Sequence, residues 1–272
     1  MLRVAALALM ALAQPAETRT PADPHLPEPV IDAEPPTLPE GARDLVLIVS
    51  KTNGWRHIEH IPHSNRVLSD IARALGRPAF VTENGAVFND AQLGRVSLVV
   101  LNSASGNFLD VAQMAAFRRF VDAGGGVVAL HAAGDGSQDD RWYRDTIVGT
   151  RFIGHPGGAD HVQPALLVPA QADHPILAGV APGWQPRDEW YSFDGSPAAR
   201  GMQVLARIDE GSYRPGPDLA MGGDHPVIWI NPNVAGRVVY SALGHTPEAY
   251  DDPTYRRILT NAMRWALEPQ GG

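Results

Sequence analysis

Cysteine is absent from all 272 residues, which excludes a disulfide framework, a Cys₄ zinc site, an iron–sulfur cluster and a thiol nucleophile. Lysine is nearly absent as well: Lys51 is the only one, so a Schiff base has a single candidate and the remaining cations are Arg and His. Acidic side chains outnumber Lys and Arg by 30 to 22, and the net charge of -8 gives nothing that would steer the molecule to nucleic acid or anionic lipid. The apolar stretch Val4 to Ala13 is too short to span a bilayer as a helix, so membrane insertion is not expected. No Walker motif, dinucleotide fingerprint or G-x-S-x-G sequence occurs, and Gly124-Gly125-Gly126 precedes a strand-like run where a phosphate loop should follow one. What remains is a globular composition, 44% hydrophobic, long enough to bury a core without covalent staples.

The chain divides by composition into three parts. Arg3, the apolar run to Ala13 and the small residues Ala11 and Ala13 fit a secretory signal peptide over residues 1–13, which predicts a periplasmic or secreted bacterial protein. A chain without thiols suits that oxidising compartment. Residues 14–42 carry eight prolines interleaved with acidic side chains, the composition of a tether or of a strap laid over a domain surface. Residues 43–268 then read as one α/β domain.

Within that domain, Leu45 to Val49, Val96 to Leu101 and Val127 to Leu130 are continuous apolar runs, as expected of strands buried on both faces of a parallel sheet. Ala79 to Thr82 is a shorter strand. Between these runs, Ile61, Leu68, Ile71 and Leu75 recur at helical spacing. Asp110 is placed to cap a helix whose apolar face is Val111, Met114, Phe117, Phe120 and Val121. Strand alternating with helix over short connections predicts right-handed crossovers and a doubly wound, mostly parallel sheet. The strands read at Ala165 to Val168, Gln203 to Ala206, Val227 to Ile230 and Val238 to Ser241 are linked by loops without helical pattern, so a small antiparallel extension is expected before the closing helix Pro253 to Leu267.

In such sheets ligands bind beyond the carboxyl ends of the strands. Three histidines follow strand-like runs: His57, His131 and His245. The stretch Leu130-His131-Ala132-Ala133-Gly134-Asp135 reads as a strand-to-helix elbow that exposes one side chain above the sheet, here His131. An imidazole there suits a general base, an electrophile or a metal ligand. Asp188-Glu189 is the best carboxylate pair, and only one of the two should face the pocket if the segment is extended. Trp55, Trp142, Tyr143, Trp190 and Tyr191 offer flat faces for pyranose rings, with Arg56 and the carboxylates for hydroxyls. His155 and His161 lie in a Gly-rich loop, with Gly157-Gly158 as its hinge. The H-x-x-H-x-x-H spacing of His57, His60 and His63 is a weaker zinc pattern, because Pro62 should break a helix there. A single zinc-like divalent ion held by His57, His131 and His245 would polarise a carbonyl.

Six segments carry a resemblance to a known family. Gly54-Trp55-Arg56-His57, Gly124 to Asp135, Trp142-Tyr143, Phe152 to Pro156, Asp188 to Tyr191 and Leu243 to Tyr250 occur in an order that resembles the ThuA-like (trehalose-utilisation) family. That family has a flavodoxin-like, class I glutamine amidotransferase-like fold. The match runs from Asp44 to Leu267; Trp55 stands where Phe or Tyr is expected, and the leader is an addition. The resemblance implies bacterial sugar catabolism alongside enzymes that make 3-keto-glycosides. Gly244-His245-Thr246-Pro247-Glu248 resembles the His-x-Glu pair of glutamine amidotransferases with one residue inserted, but without a cysteine that chemistry is unavailable.

The sequence thus points to an exported enzyme acting on a keto-sugar or glycoside by acid/base isomerisation or C–O cleavage. His131, His245, Glu189 and Asp188 are its catalytic candidates, and Trp55, Arg56, His57, Asp135, His155, Trp190 and Tyr191 its substrate-binding candidates. A non-catalytic carbohydrate-binding module and a metal-dependent hydrolase are the rival readings, and self-association into a homo-oligomer is left open.

Overall fold

A computed structural model describes residues 23–216 and 218–268. The expected signal peptide, residues 1–13, lies outside them. The first half of the domain follows the sequence pattern closely: β1 (Leu45–Val49), α1 (Ile61–Ala74), β2 (Ala79–Thr82), α2 (Asp90–Leu93), β3 (Val96–Asn102), α3 (Val111–Asp122) and β4 (Gly126–Leu130). Shorter strands come next: β5 (Phe152–Gly154), β6 (Gln163–Pro164), β7 (Leu167–Pro169), β8 (Arg187–Asp188) and β9 (Ser192–Phe193). The chain closes with β10 (Gln203–Ile208), β11 (Pro226–Asn231), β12 (Val238–Ser241), α4 (Pro247–Asp251) and α5 (Pro253–Leu267). No helix among the described residues is long and apolar enough to cross a membrane.

Eight strands form one sheet in the order β2-β1-β3-β4-β12-β11-β10-β7. The strands from β2 to β12 are parallel, which is why β1, β4 and β12 are buried along their whole length and read as unbroken apolar runs. From β12 onward the pairing is antiparallel, giving the expected extension, with β7 shifted toward Pro169 relative to the sequence reading. Two further two-stranded pairings, β5 with β9 and β6 with β8, lie outside this sheet.

Local chemistry explains the helix boundaries. Asp110 and Gln113 form a reciprocal capping box that satisfies donors at the start of α3. Val111, assigned by spacing to the apolar face of α3, is instead 89% exposed, because it opens the helix before that face meets the sheet. Pro62 does not break α1; it sits in the first turn, where a proline lacks no needed N–H. Asp252 caps α5 through the N–H groups of Thr254 and Tyr255.

The proline-rich leader is a strap from residue 23 onward. With no strand or helix of its own, it satisfies its backbone with domain side chains: Asn53 bonds both the N–H and C=O of Val30, Gln113 donates to Asp32, and Asn84 donates to Glu34. Asp32 accepts from the Gly85 N–H and pairs with Lys51 at 2.8 Å, which accounts for the chain's one lysine.

Gly126 marks the tightest contact between helix and sheet, since a Cβ built there would lie 2.1 Å from the carbonyl oxygen of Ala266 in α5. Gly126→Ala is expected to destabilise the fold by about 1–3 kcal/mol in urea unfolding, by overpacking. Gly195→Ala, at a position with nothing within 4 Å of an added Cβ, should stay within about 0.5 kcal/mol of the parent.

Candidate functional site: a histidine–carboxylate cluster at the strand ends

The parallel strands deliver the three histidines to one place. His57 follows β1, His131 follows β4 directly and His245 follows β12. His131 opens the elbow with a positive φ of 47°, a left-handed conformation that ordinary side chains disfavour. Tyr240 of β12 holds the turn by donating its hydroxyl to the His131 carbonyl at 2.9 Å. His131 does not project into solvent as an exposed elbow residue should. It is fully buried, with the Tyr191 ring 4.4 Å away and His245 packed against it.

Glu189 completes the group. His131 Nε2, His245 Nδ1 and Glu189 Oε2 form a triangle with sides of 3.2, 3.2 and 3.4 Å. His131 Nδ1 lies 2.9 Å from the Ala242 carbonyl, which can only accept, so Nδ1–H donates to it and Nε2 faces Glu189 and His245. His57 stands beside both partners, its ring 4.8 Å from His131 and 5.0 Å from His245, and its Nδ1 is buried without a hydrogen-bond partner. The donor atoms of His57, His131, Glu189 and His245 all lie within 4.8 Å of one another.

Electrostatics follow from that crowding. Burial works to raise the Glu189 carboxyl, but its contacts with His131 and His245 outweigh it and hold the group well below the usual carboxylate range. Burial likewise opposes a charge on His245, yet the Glu189 hydrogen bond and charge, with Asp188, hold that imidazole above its ordinary value. His57 is driven far below its ordinary value, first by burial and then by the neighbouring imidazoles, so it keeps a free lone pair.

Asp188, expected with Glu189 as a catalytic candidate, has its carboxylate engaged by backbone N–H groups. It is fully buried and not among the four clustered donor groups, accepting the Gly244 N–H at 2.7 Å and the His245 and Glu189 N–H groups at 2.9 Å. Burial pushes its carboxyl above the usual range, opposed by the nearby imidazoles and these N–H donors. Asp188 is therefore a positioning residue that ties the His245 loop to the Glu189 segment.

A cavity of about 760 Å³ opens on the cluster, lined by His57, Glu189, His245, Asp135, His155 and Tyr191 among others. Trp55 stands at its wall, 44% exposed. His155 reaches Glu189 Oε1 at 3.1 Å, and burial raises the Asp135 carboxyl against the opposing pull of Gln138 and His155. His161 and Gly157-Gly158 also line the cavity.

Several of the residues expected to bind substrate have protein partners outside the cavity. Arg56 turns away to a two-point ion pair with Glu83, at 2.6 and 2.9 Å. Trp190 is fully buried and donates its indole N–H to Gln163, while Tyr143 is buried in a π-helical turn and donates to the Ala133 carbonyl. Trp142 packs edge-on against Phe117. His63 lies outside the group, paired with Asp251.

His60, read in the sequence as part of a weaker zinc pattern with His57 and His63, stacks on Tyr250 with its ring 5.2 Å from that of His57. One residue of the cavity was not legible in the sequence. His25 of the strap lines the cavity, and no local signal in a proline-rich leader distinguishes it.

The family profile described as ThuA, trehalose utilisation, matches residues 45–266. The chain belongs to the ThuA family. Among solved structures, a ThuA-like protein from Bacteroides uniformis ATCC 8492 superposes with a TM-score of 0.73 at 23% identity, covering 88% of this chain and 98% of that one. A ThuA-like protein from Parabacteroides merdae ATCC 43184 gives 0.65 at 18% identity, over 85% and 93%. A protein described as cytoplasmic from Salmonella typhimurium LT2 gives 0.57 at 12% identity, over 82% and 99%. At these identities the likeness is one of fold. No curated protein matches the chain. In this ThuA protein all four cluster residues fall inside the matched span, whereas His25 precedes it.

Asp188→Ala would strand three buried N–H donors, so a loss on the order of 2–4 kcal/mol is expected in chemical unfolding. Asp188→Asn keeps one acceptor oxygen and should lose less.

Proposed function

We propose that this ThuA protein is an exported, divalent-metal-dependent enzyme that isomerises, or cleaves a C–O bond in, a keto-sugar or glycoside of the 3-keto type. The observation that carries the metal is the triangle of His131 Nε2, His245 Nδ1 and Glu189 Oε2. Three lone-pair atoms held 3.2–3.4 Å apart repel one another unless a positive charge sits among them. Zinc–nitrogen bonds of about 2.0–2.1 Å in a tetrahedron set ligand atoms about 3.3 Å apart, which is the edge length of this triangle. His57, whose Nδ1 is buried without a hydrogen-bond partner, has a ring nitrogen within 4.8 Å of the other three ligand atoms and would supply a further donor.

The outer contacts support that reading. The Ala242 carbonyl fixes the His131 tautomer and Asp188 fixes the His245 backbone, the kind of support that orients metal ligands. A bound divalent ion would supply Lewis-acid polarisation of a sugar oxygen. Proton transfer then falls to groups outside the triangle. Asp135, held protonated to higher pH by burial, is the acid for a carbonyl or leaving oxygen, and His155 at the rim is the partner base. The sugar substrate rests on the family's association with trehalose utilisation and on the aromatic walls of the cavity.

A second reading has its own observation. A proton on His245 Nδ1, which the Glu189 carboxylate favours, also satisfies the triangle and leaves a metal-free acid/base couple.

Elemental analysis of the purified full chain separates the two. About one equivalent of a zinc-like ion is expected, falling at least tenfold in affinity for His131→Ala, His245→Ala and Glu189→Gln. Turnover of 3-keto-glucosides, followed by NMR, should be lost with chelation and restored by the ion. Turnover without metal would establish the acid/base couple, and sugar binding with neither metal nor turnover would leave a non-catalytic module.

A further inference from the structure

The chain contains two Asn–Gly sequences, Asn53-Gly54 and Asn84-Gly85, and both hold the leader strap. Asparagine is a labile residue, and before glycine its side-chain amide is most open to attack by the next backbone nitrogen, because no Cβ stands in the way. Packing favours glycine at both places. A Cβ on Gly85 would stand 3.0 Å from the Phe108 carbonyl and 3.2 Å from the Leu109 side chain, and one on Gly54 would stand 2.9 Å from the Gly106 nitrogen. A labile dipeptide is therefore built into each of these clamps.

The two are locked differently. At Asn84 the carboxamide is held at both ends: Nδ2 donates to the Glu34 carbonyl at 2.9 Å, and Oδ1 accepts the Ala86 N–H at 2.8 Å. The nitrogen that would attack it, that of Gly85, donates to Asp32 Oδ2 at 2.7 Å. Asp32 and Glu34 both belong to the strap, so two of these three locks leave with it. At Asn53 the strap supplies only Val30, whose N–H and carbonyl meet the amide at 3.1 and 3.0 Å. There the Asn107 carbonyl also holds Nδ2 at 2.8 Å, and the Ser105 carbonyl holds the Gly54 N–H at 3.2 Å. Both are domain groups that stay in place when the strap lifts.

We propose that Asn84 is a deamidation site guarded by the strap, so that lasting release of residues 32–34 is recorded covalently. With Asp32 and Glu34 away, the Gly85 nitrogen bonds to Asn84 Cγ, and its proton leaves with the side-chain nitrogen as ammonia to give a cyclic imide. One water then opens the ring to an aspartyl or isoaspartyl carboxyl group. The product has lost the Nδ2 donor and meets the Glu34 carbonyl with an acceptor, close to the Asp32 carboxylate. Both changes oppose redocking, so the step runs one way. The same strap carries His25 onto the cavity wall, which connects the chemistry at Asn84 to the cavity. The guard is independent of what the cavity binds.

The test is incubation of the full chain in mildly alkaline buffer, with peptide mass mapping over time. Asn84 in the wild type is expected to convert at least about tenfold more slowly than in a synthetic peptide of residues 80–88. Asp32→Ala removes the Gly85 acceptor and the Lys51 ion pair; it should speed conversion at Asn84 about fivefold or more and at Asn53 less than about twofold. Asn84→Asp keeps an oxygen for the Ala86 N–H, so the turn it caps stays intact, yet hydrogen exchange over the strap should rise about tenfold. Asn53 serves as the folding control. Equal acceleration at both asparagines in Asp32→Ala assigns the protection to the whole fold and overturns the proposal. So does conversion of wild-type Asn84 at the peptide rate, or an unchanged or slower rate in Asp32→Ala, the slower one making that carboxylate a base and not a guard. Unchanged strap exchange in Asn84→Asp overturns the one-way step.

Discussion

Everything at the candidate site hangs on one buried carboxylate. Asp188 accepts three backbone N–H groups, and those groups belong to Glu189 on one side and to Gly244 and His245 on the other. Two segments more than fifty residues apart in sequence are thereby locked together at hydrogen-bond precision, and the Glu189 carboxylate and His245 imidazole are carried to each other by their own backbones. The sheet brings His57 and His131 to the same end, but a sheet alone places side chains only to within a loop's freedom. Asp188 removes that freedom for His245, and the Ala242 carbonyl does the same for the His131 ring.

Much of the fold could be read before any coordinates, for a simple reason. Parallel strands covered on both faces favour apolar residues along their length, and β1 and β4 have them throughout, while β3 and β12 depart only at Ser97, Asn102 and Ser241. Convergence of His57, His131 and His245 follows from the rule that loops after parallel strands share one edge. What failed were statements about direction. Arg56 and Trp190 have the chemistry of a sugar site, yet Glu83 claims the first and Gln163 the second, and neither partner is near in sequence. On the extended Asp188–Tyr191 segment the sequence cannot tell which side chains face the cavity; tertiary contacts decide it, with Glu189 meeting His131 and His245 while Asp188 accepts the Gly244 N–H.

The elbow shows why the shared scaffold does not carry shared chemistry. Amidotransferase-like folds use the strained turn after a central strand to present a nucleophile, and this chain keeps the strain, with His131 in the left-handed region, while presenting a buried imidazole. Sinking the side chain beneath His245, Glu189 and Tyr191 removes it from solvent and fixes its orientation. The tyrosine arm is itself secured from behind, since His225 bonds the Tyr191 carbonyl and is held in turn by Glu210.

The strap has a consequence for how the molecule comes together. Its order is borrowed: the groups that hold residues 25–36 are scattered from Asn53 through Lys51, Asn84 and Gln92 to Gln113. Its partners come together only once the sheet and its flanking helices are assembled, so its docking depends on theirs and not the reverse. Because the His25 ring lies on the Trp55 indole, whatever displaces this segment also reshapes the cavity wall, while the imidazoles at the strand ends keep their own supports.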